Sequence, residues 1–481
     1  MLDADPSFAR INDLIRLNKR RFLEAQIEVT QDYAKRVQSE VRVRLKDDTI
    51  WGVCRQEWGR GKGFKNEVLA QMEAWSRRQQ GLTAHESTNA MTTIPLFAEV
   101  SRPAQPPSFT LYIRNLRALH WVNWSPEPLS ILIGANGAGK TTLLQTLKLL
   151  HIAYERGLPE AVTQVLGGSN NLRRNGITED EPVELGLTIG DARWRIRLVQ
   201  REGSVDYFTD ERLSVGEREV YSRDSMGAFL YGSERIEPTP QLGLRALMDR
   251  GVHEPAVRSI ASFLWRLAVY HDPDLWHLRW QGSNTSEDRL LHSRGLNALA
   301  VLRRWHQDRS NRHRYQFVVD GLSIAFPNTV KEIDFQEAGN TIVARIYRPG
   351  AELPTPLAAE ANGVLQLLIL FCQVANAEDE SLVAIDEPEN SLHPYALRSF
   401  LRRTGQWARQ HKLTVVLATH STVLLDELSA SPEQIFVMKP SELGAPIPTQ
   451  LDRLCDRDWL EGFKIGDLYE QGEIGSNEDE C

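Results

Sequence analysis

The sequence predicts an α/β fold with a parallel sheet and a phosphate-binding loop, and two sets of residues carry that prediction. The first is an apolar strand, Leu129-Ser130-Ile131-Leu132-Ile133, that runs into Gly134-Ala135-Asn136-Gly137-Ala138-Gly139-Lys140-Thr141 and then into a helical run. This is the pattern G-x-x-x-x-G-K-[ST] in its required strand–loop–helix context. The second is a pair of almost wholly apolar runs, Leu382-Val383-Ala384-Ile385 and Thr414-Val415-Val416-Leu417-Ala418. Runs of that length without alternation read as strands buried on both faces, as in a parallel sheet.

Each element implies chemistry. In the loop, glycines let successive backbone N–H groups turn inward around a phosphate, and the following helix adds the positive end of its dipole. Lys140 can reach the β- and γ-phosphates and Thr141 can offer its hydroxyl to magnesium. The residues expected to bind ATP are Asn136, Gly137, Ala138, Gly139, Lys140, Thr141 and Thr142, with Mg2+ as the accompanying ion. Asp386 ends the second strand at the carboxyl edge of the sheet, where it can hold the magnesium together with Thr141. Glu387 follows directly and can polarise an attacking water. His420, in Ala418-Thr419-His420-Ser421, ends the third strand, where an imidazole can touch a γ-phosphate and sense its loss. Lys140, Glu387 and His420 are therefore the candidate catalytic residues. The loop alone is compatible with a kinase, but a kinase needs neither the Asp386–Glu387 pair nor His420.

Composition sets the bounds. With 481 residues, 41% hydrophobic and 25% charged, the chain is long enough for more than one globular core. A net charge of -8 argues against a nucleic-acid binder that uses its whole surface, and leaves a local basic face open. No apolar run approaches the roughly 18 residues of a membrane span, and the start MLDADPSFAR lacks a signal-peptide core, so a cytoplasmic protein is expected. Cys54, Cys372, Cys455 and Cys481 show no CxxC spacing and read as reduced thiols.

Along the chain, residues 1–80 read as an accessory module: a helix from about Asp13 to Arg36, a strand over Val41–Leu45 and a helix over Phe64–Gln79. Residues 81–108, with Pro103-Ala104-Gln105-Pro106-Pro107, read as a linker. The main domain, 109–476, opens on a strand at Phe109–Ile113. Within it, about 167–355 reads as an insertion lobe, with short β runs up to Ile236 and helical pattern from Gly243 to His306. A buried helix is expected over Val364–Val374, and 477–481 is an acidic tail.

The string Ile385-Asp386-Glu387-Pro388-Glu389-Asn390-Ser391-Leu392-His393-Pro394, with the loop before it and Thr419-His420-Ser421 after it, resembles prokaryotic ABC-type AAA ATPases related to OLD and RecF proteins. The resemblance covers roughly residues 109–476. It implies a P-loop NTPase fold of the ATP-binding-cassette head type, with an inserted helical lobe and a small N-terminal α+β module. It further implies an ATPase that forms a homodimer or higher homo-oligomer through ATP, with a partner effector such as a nuclease, DNA or RNA as further partners, and a place in phage defence or DNA maintenance. The residues after Met438 are too few for the Toprim nuclease domain of OLD proteins, which needs on the order of a hundred residues.

By the same resemblance, Glu360-Ala361-Asn362-Gly363-Val364 corresponds to the signature segment that closes on the partner subunit's ATP. It departs from the family at Ala361, where a serine is usual, so that Asn362 and Gly363 are left to supply donors. Slow turnover is the expected consequence, and an ATP-dependent regulatory scaffold is the alternative reading. Gln200 is a candidate for the family's glutamine lid.

Overall fold

In the computed structural model the chain divides into two compact units, Met1–Ser101 and Arg102–Cys481. The structure describes residues 26–31, 38–44, 50–57 and 108–475, except 179–180, 199–209, 225–227, 238–240, 287–289 and 440–446. The expected helix at 64–79, the linker at 81–107, Gln200 and the acidic tail lie outside the described residues.

The first unit contains an antiparallel sheet of β1 (Gln26–Gln31), β2 (Gln38–Arg44) and β3 (Ile50–Glu57), in that order. Strand β2 takes in most of the expected strand at Val41–Leu45. Strand β1 corrects the expectation of one helix from Asp13 to Arg36. Its Ile27, Val29 and Thr30 are β-branched and lose rotamer freedom in a helix, and Gln26-Ile27-Glu28-Val29 alternates with the period of a strand.

The described residues of the second unit build two main sheets and a small antiparallel one of β14 (Ser283–Asn284), β15 (Glu332–Ala338), β16 (Thr341–Tyr347) and β17 (Thr355–Pro356). Strands β4 (Phe109–Leu116), β5 (Leu119–Trp124), β7 (Val183–Ile189), β8 (Ala192–Leu198), β9 (Asp210–Val215), β10 (Arg218–Arg223), β11 (Phe229–Tyr231) and β12 (Glu234–Ile236) form an antiparallel sheet in the order β12-β11-β10-β9-β8-β7-β4-β5. The other sheet runs β13-β18-β19-β6-β20-β21, from β6 (Leu129–Ile133), β13 (Ala268–Tyr270), β18 (Leu382–Asp386), β19 (Thr414–Ala418), β20 (Ile435–Val437) and β21 (Thr449–Gln450). All neighbours in it are parallel except β20 and β21.

The parallel sheet is buried on both faces, as its unbroken apolar strands require. Ile131, Ile133, Val383, Ile385, Val415 and Leu417 point into one core, with the helices Asn362–Asn376 and Pro394–His411. Leu132, Leu382, Ala384, Val416 and Ala418 point into the other, with the helix Lys140–Arg156 and the inner face of the antiparallel sheet. The helix that follows the loop is thus clamped between two sheets, which fixes the direction in which its N-terminus points.

Residues 183–236 carry the short β runs expected there, and these extend the sheet that β4 opens. They form six strands joined edge to edge with β4, because Trp194, Ile196 and Leu198 alternate with exposed Arg193, Arg195 and Arg197 and need an apolar partner on one side only. The helical pattern expected after Gly243 is present in helices such as Pro255–Arg266, Leu275–Trp280, Ala298–Gln307 and Arg312–Ala325. No described helix is long and apolar enough to cross a membrane. Cys372 is a free, buried thiol, whereas Cys455 is disulfide-bonded, against the reading of all cysteines as reduced.

Candidate nucleotide site

Three parallel strands deliver the candidate residues to one edge. In register, Asp386 of β18 pairs with Ala418 of β19, and Ala418 pairs with Leu132 of β6, two residues before Gly134. The loop, the acidic pair and His420 therefore leave adjacent strands at the same level, as sequence position alone had suggested for each separately.

The loop turns on glycine. Gly137 and Gly139 hold φ of 83° and 101°, in the left-handed region that glycine adopts without steric cost. Gly139 also packs so closely on Leu119 that a Cβ would lie 2.6 Å from its Cδ2. Lys140 is buried, and its ammonium donates to the carbonyl oxygens of Gly134 (2.7 Å) and Ala135 (3.3 Å). Burial lowers its pKa from the ordinary value, while Asp386, Glu387 and Glu389 oppose that shift. Three carboxylates thus offset part of the cost of burying this ammonium at the edge where the strands end.

Asp386 is half-buried, and burial raises its pKa; a hydrogen bond from Thr141 and the charge of Lys140 act in the opposite direction. The Thr141–Asp386 contact joins the two oxygen donors that the sequence assigns to magnesium. Hard oxygen donors in this pairing fit that ion. A second observation agrees: Glu389 places Oε2 in the interior with no hydrogen-bond partner among the described residues. A buried, unsatisfied carboxylate oxygen is costly unless something cationic or a donor faces it.

Glu387 has φ of 49°, a left-handed conformation that costs a non-glycine residue energy. Its N–H donates to Ala418 O at 2.8 Å, so the strained turn is tied to the next strand. Its carboxylate accepts from Asn390 Nδ2 at 3.1 Å. Pro388 follows, so the chain cannot continue in ladder pairing and the acidic turn stays outside the sheet.

His420 is held on two sides. Its backbone N–H donates to Glu389 Oε1 at 2.8 Å, and its Nδ1 lies 2.9 Å from the hydroxyl of Tyr469, on the helix Ile465–Glu470. The Tyr469 hydroxyl also lies 3.3 Å from Gly134 O, to which it can donate. Burial, then the charge of Lys140, lowers the His420 pKa below the ordinary 6.5. Tyr469 thus bridges the loop and the histidine. Nothing local in the sequence marks it, since it reaches the site from far along the chain.

The segment Glu360–Val364, expected to act as the signature, lies elsewhere. Ala361 precedes the buried helix Asn362–Asn376, and Gly363 packs against the turn after the acidic pair, where a Cβ would lie 3.0 Å from Ser391 O. Besides backbone bonds to Leu357, Val364 and Leu365, residues 360–363 are bonded by Arg279 and Arg348, and no described hydrogen bond joins them to residues 134–141. Arg279 donates to Glu360 O (2.7 Å) and Asn362 Oδ1 (2.7 Å), and Arg348 pairs with buried Glu360 at 2.8 and 3.0 Å. No motif of the sequence marks Arg348. Trp276 and Trp280, on the same short helix as Arg279, are 62% and 63% exposed.

A comparison with protein families matches residues 129–229 and 276–426, just over half of the chain, to the family described as "AAA domain, putative AbiEii toxin, Type IV TA system". No curated protein matches. Among solved structures, the chain is similar to an Smc head bound to the C-winged helix domain of ScpA, at 10% identity and a TM-score of 0.42, over 73% of this chain and 100% of that one. An Smc head domain with an extended coiled coil, bound to the C-terminal domain of ScpA derived from Pyrococcus furiosus, gives 10% identity and a TM-score of 0.41, over 74% and 99%. The SMC head domain from Thermotoga maritima gives 12% and 0.33, over 67% and 92%.

Proposed function

The chain belongs to the AbiEii-type AAA-domain family, and on that premise we propose that it is a cassette-type ATPase whose copies close around ATP and whose nucleotide state controls a partner effector such as a nuclease. The observation that carries this reading is the Thr141–Asp386 contact beside Lys140, Glu387 and Glu389, all at the edge where β6, β18 and the β19 between them end. A phosphate loop with two oxygen donors and an adjacent strained carboxylate is suited to in-line hydrolysis of a γ-phosphate. The family's association with type IV TA systems supports a place in phage defence.

In this reading Asn136 to Thr142 cradle the phosphates, and Lys140 gives up its loop carbonyls for the β- and γ-oxygens. Thr141 and Asp386 hold Mg2+, which when bound neutralises charge on the phosphates. Glu387 takes the proton of the attacking water. His420, neutral and bonded through Nδ1, offers Nε2 as an acceptor to that water and gains a charge only when protonated. Ala361, Asn362 and Gly363 face the ATP of a second copy. Phosphate release from ATP with Mg2+, measured with and without DNA or RNA, tests the reading. Release above that of a Lys140→Ala control supports an ATPase, and no release sinks it. Stimulation by a nucleic acid makes that polymer the trigger, whereas unchanged turnover removes it from that role. Ala361 favours a second reading, a regulatory scaffold that binds ATP and dimerises with little turnover.

The His420 shift gives a pH prediction. The folded protein favours the neutral ring, so protonation falls below pH 6.5 and the acceptor is intact at and above it. Turnover is expected to hold from pH 6.5 upward and to decline on the acid side, and His420→Gln is expected to remove that acid limb. A limb of the same midpoint in the variant would assign the titration to another group.

A further inference from the structure

The signature segment lacks its hydroxyl at Ala361, and the structure offers a replacement. We infer that the side-chain amide of Asn362, turned outward by Arg279, is the donor that contacts the γ-phosphate of ATP held by a second copy of this chain. The inference rests on the reading of residues 360–363 as a segment acting in trans.

The argument starts from the donor inventory. A guanidinium has only N–H groups, so the Asn362 atom 2.7 Å from the Arg279 nitrogen must be the carbonyl oxygen. With Oδ1 engaged, the planar amide directs its NH2 to the opposite side. That NH2 has no partner among the described residues, and Asn362 is exposed. Fixing the oxygen therefore presents two N–H donors on the side away from the clamp. For an anionic phosphate oxygen a donor of this kind does the work of a serine hydroxyl, and a hydrogen bond to a charged group is stronger than a neutral one.

The clamp is built to hold that orientation. The same guanidinium donates to the backbone carbonyls of Ala358 and Glu360, so Arg279 spans the segment from its approach to its first helical residue. Glu360 is buried and tied in turn by Arg348, which fixes the residue on the other side of Ala361. Below, Gly363 abuts Ser391 O, so the segment cannot settle further towards its own acidic turn. Arg279 touches no nucleotide-binding residue of the loop. It acts through Asn362, as a positioning residue, and the planar fork of arginine is what lets one side chain hold three oxygens.

The test uses the full chain in a Glu387→Gln background, in which ATP is bound and not consumed. Two quantities are read: affinity for a fluorescent ATP analogue at the loop, and ATP-dependent dimerisation by sedimentation. Asn362→Asp keeps the size and the oxygen facing Arg279 but replaces the NH2 with a charged oxygen. It is expected to leave the affinity of the separate chain unchanged and to weaken ATP-dependent dimerisation roughly ten- to hundredfold. Asn362→Ala and Arg279→Lys should weaken it less, and Ala361→Ser added to either should restore it, which no purely structural defect would allow. Dimerisation of Asn362→Asp equal to its parent overturns the inference, as does failure of Ala361→Ser to rescue Asn362→Ala. A Glu387→Gln parent that never dimerises with ATP overturns the trans reading itself, and the role of Asn362 falls with it.

Discussion

Lys140→Ala is expected to remove ATP binding: affinity for ATP with Mg2+ should fall on the order of a thousandfold, since truncating one partner of a buried, hydrogen-bonded charge pair costs about 2–5 kcal/mol. Two effects act together. The ammonium that would bond the β- and γ-oxygens is lost, and Asp386, Glu387 and Glu389, the charges that surround Lys140, are left facing a polyanion without the cation between them. Repulsion thus adds to the missing bond. The ammonium also donates to Gly134 O and Ala135 O, so the variant should loosen the loop even without nucleotide. Titration with a fluorescent ATP analogue decides the matter. An affinity within threefold of the parent would mean that nucleotide is not held by residues 134–141.

The second large effect is on chemistry. Glu387→Gln keeps the size of the side chain and the bond to Asn390 but removes the base, and turnover is expected to fall about 10²- to 10⁴-fold, the usual contribution of a positioned proton acceptor. ATP affinity should be kept, because none of the loop contacts involves Glu387. The strain at its φ of 49° argues that the position serves chemistry, since a glycine or asparagine would relieve the backbone and would not supply a base. Single-turnover phosphate release separates the outcomes. Equal rates in parent and variant would move the protein to the scaffold reading, with Ala361 as the reason for its slow turnover.

How much of this was legible beforehand depends on range. The loop and the strands around it are local: Leu129–Thr141 contains the strand, the glycines and the lysine within one short stretch, and β18 and β19 declare their burial by unbroken apolar runs. Their assembly at one sheet edge follows from the carboxyl-end rule for parallel sheets. What escaped was set by pairing at a distance. The alternation in Val183–Leu198 announces strands but does not say that β7 pairs with β4. Strand β1 was hidden by its glutamines and glutamate, which suit a helix as well as a strand edge. Tyr469, Arg279 and Arg348 carry no motif at all. Each reaches its partner through the tertiary fold, and only the hydrogen bonds reveal that one tethers the histidine and the other two hold Glu360 and Asn362.

The central claim is that ATP at residues 134–141 joins two copies of this chain and is then hydrolysed by Glu387. Measuring the mass of the Glu387→Gln protein in solution with ATP and Mg2+, with ADP and Mg2+, and without nucleotide tests it most directly. The account predicts a doubled mass with ATP alone and the smaller species in the other two states. An unchanged mass at saturating ATP would contradict it.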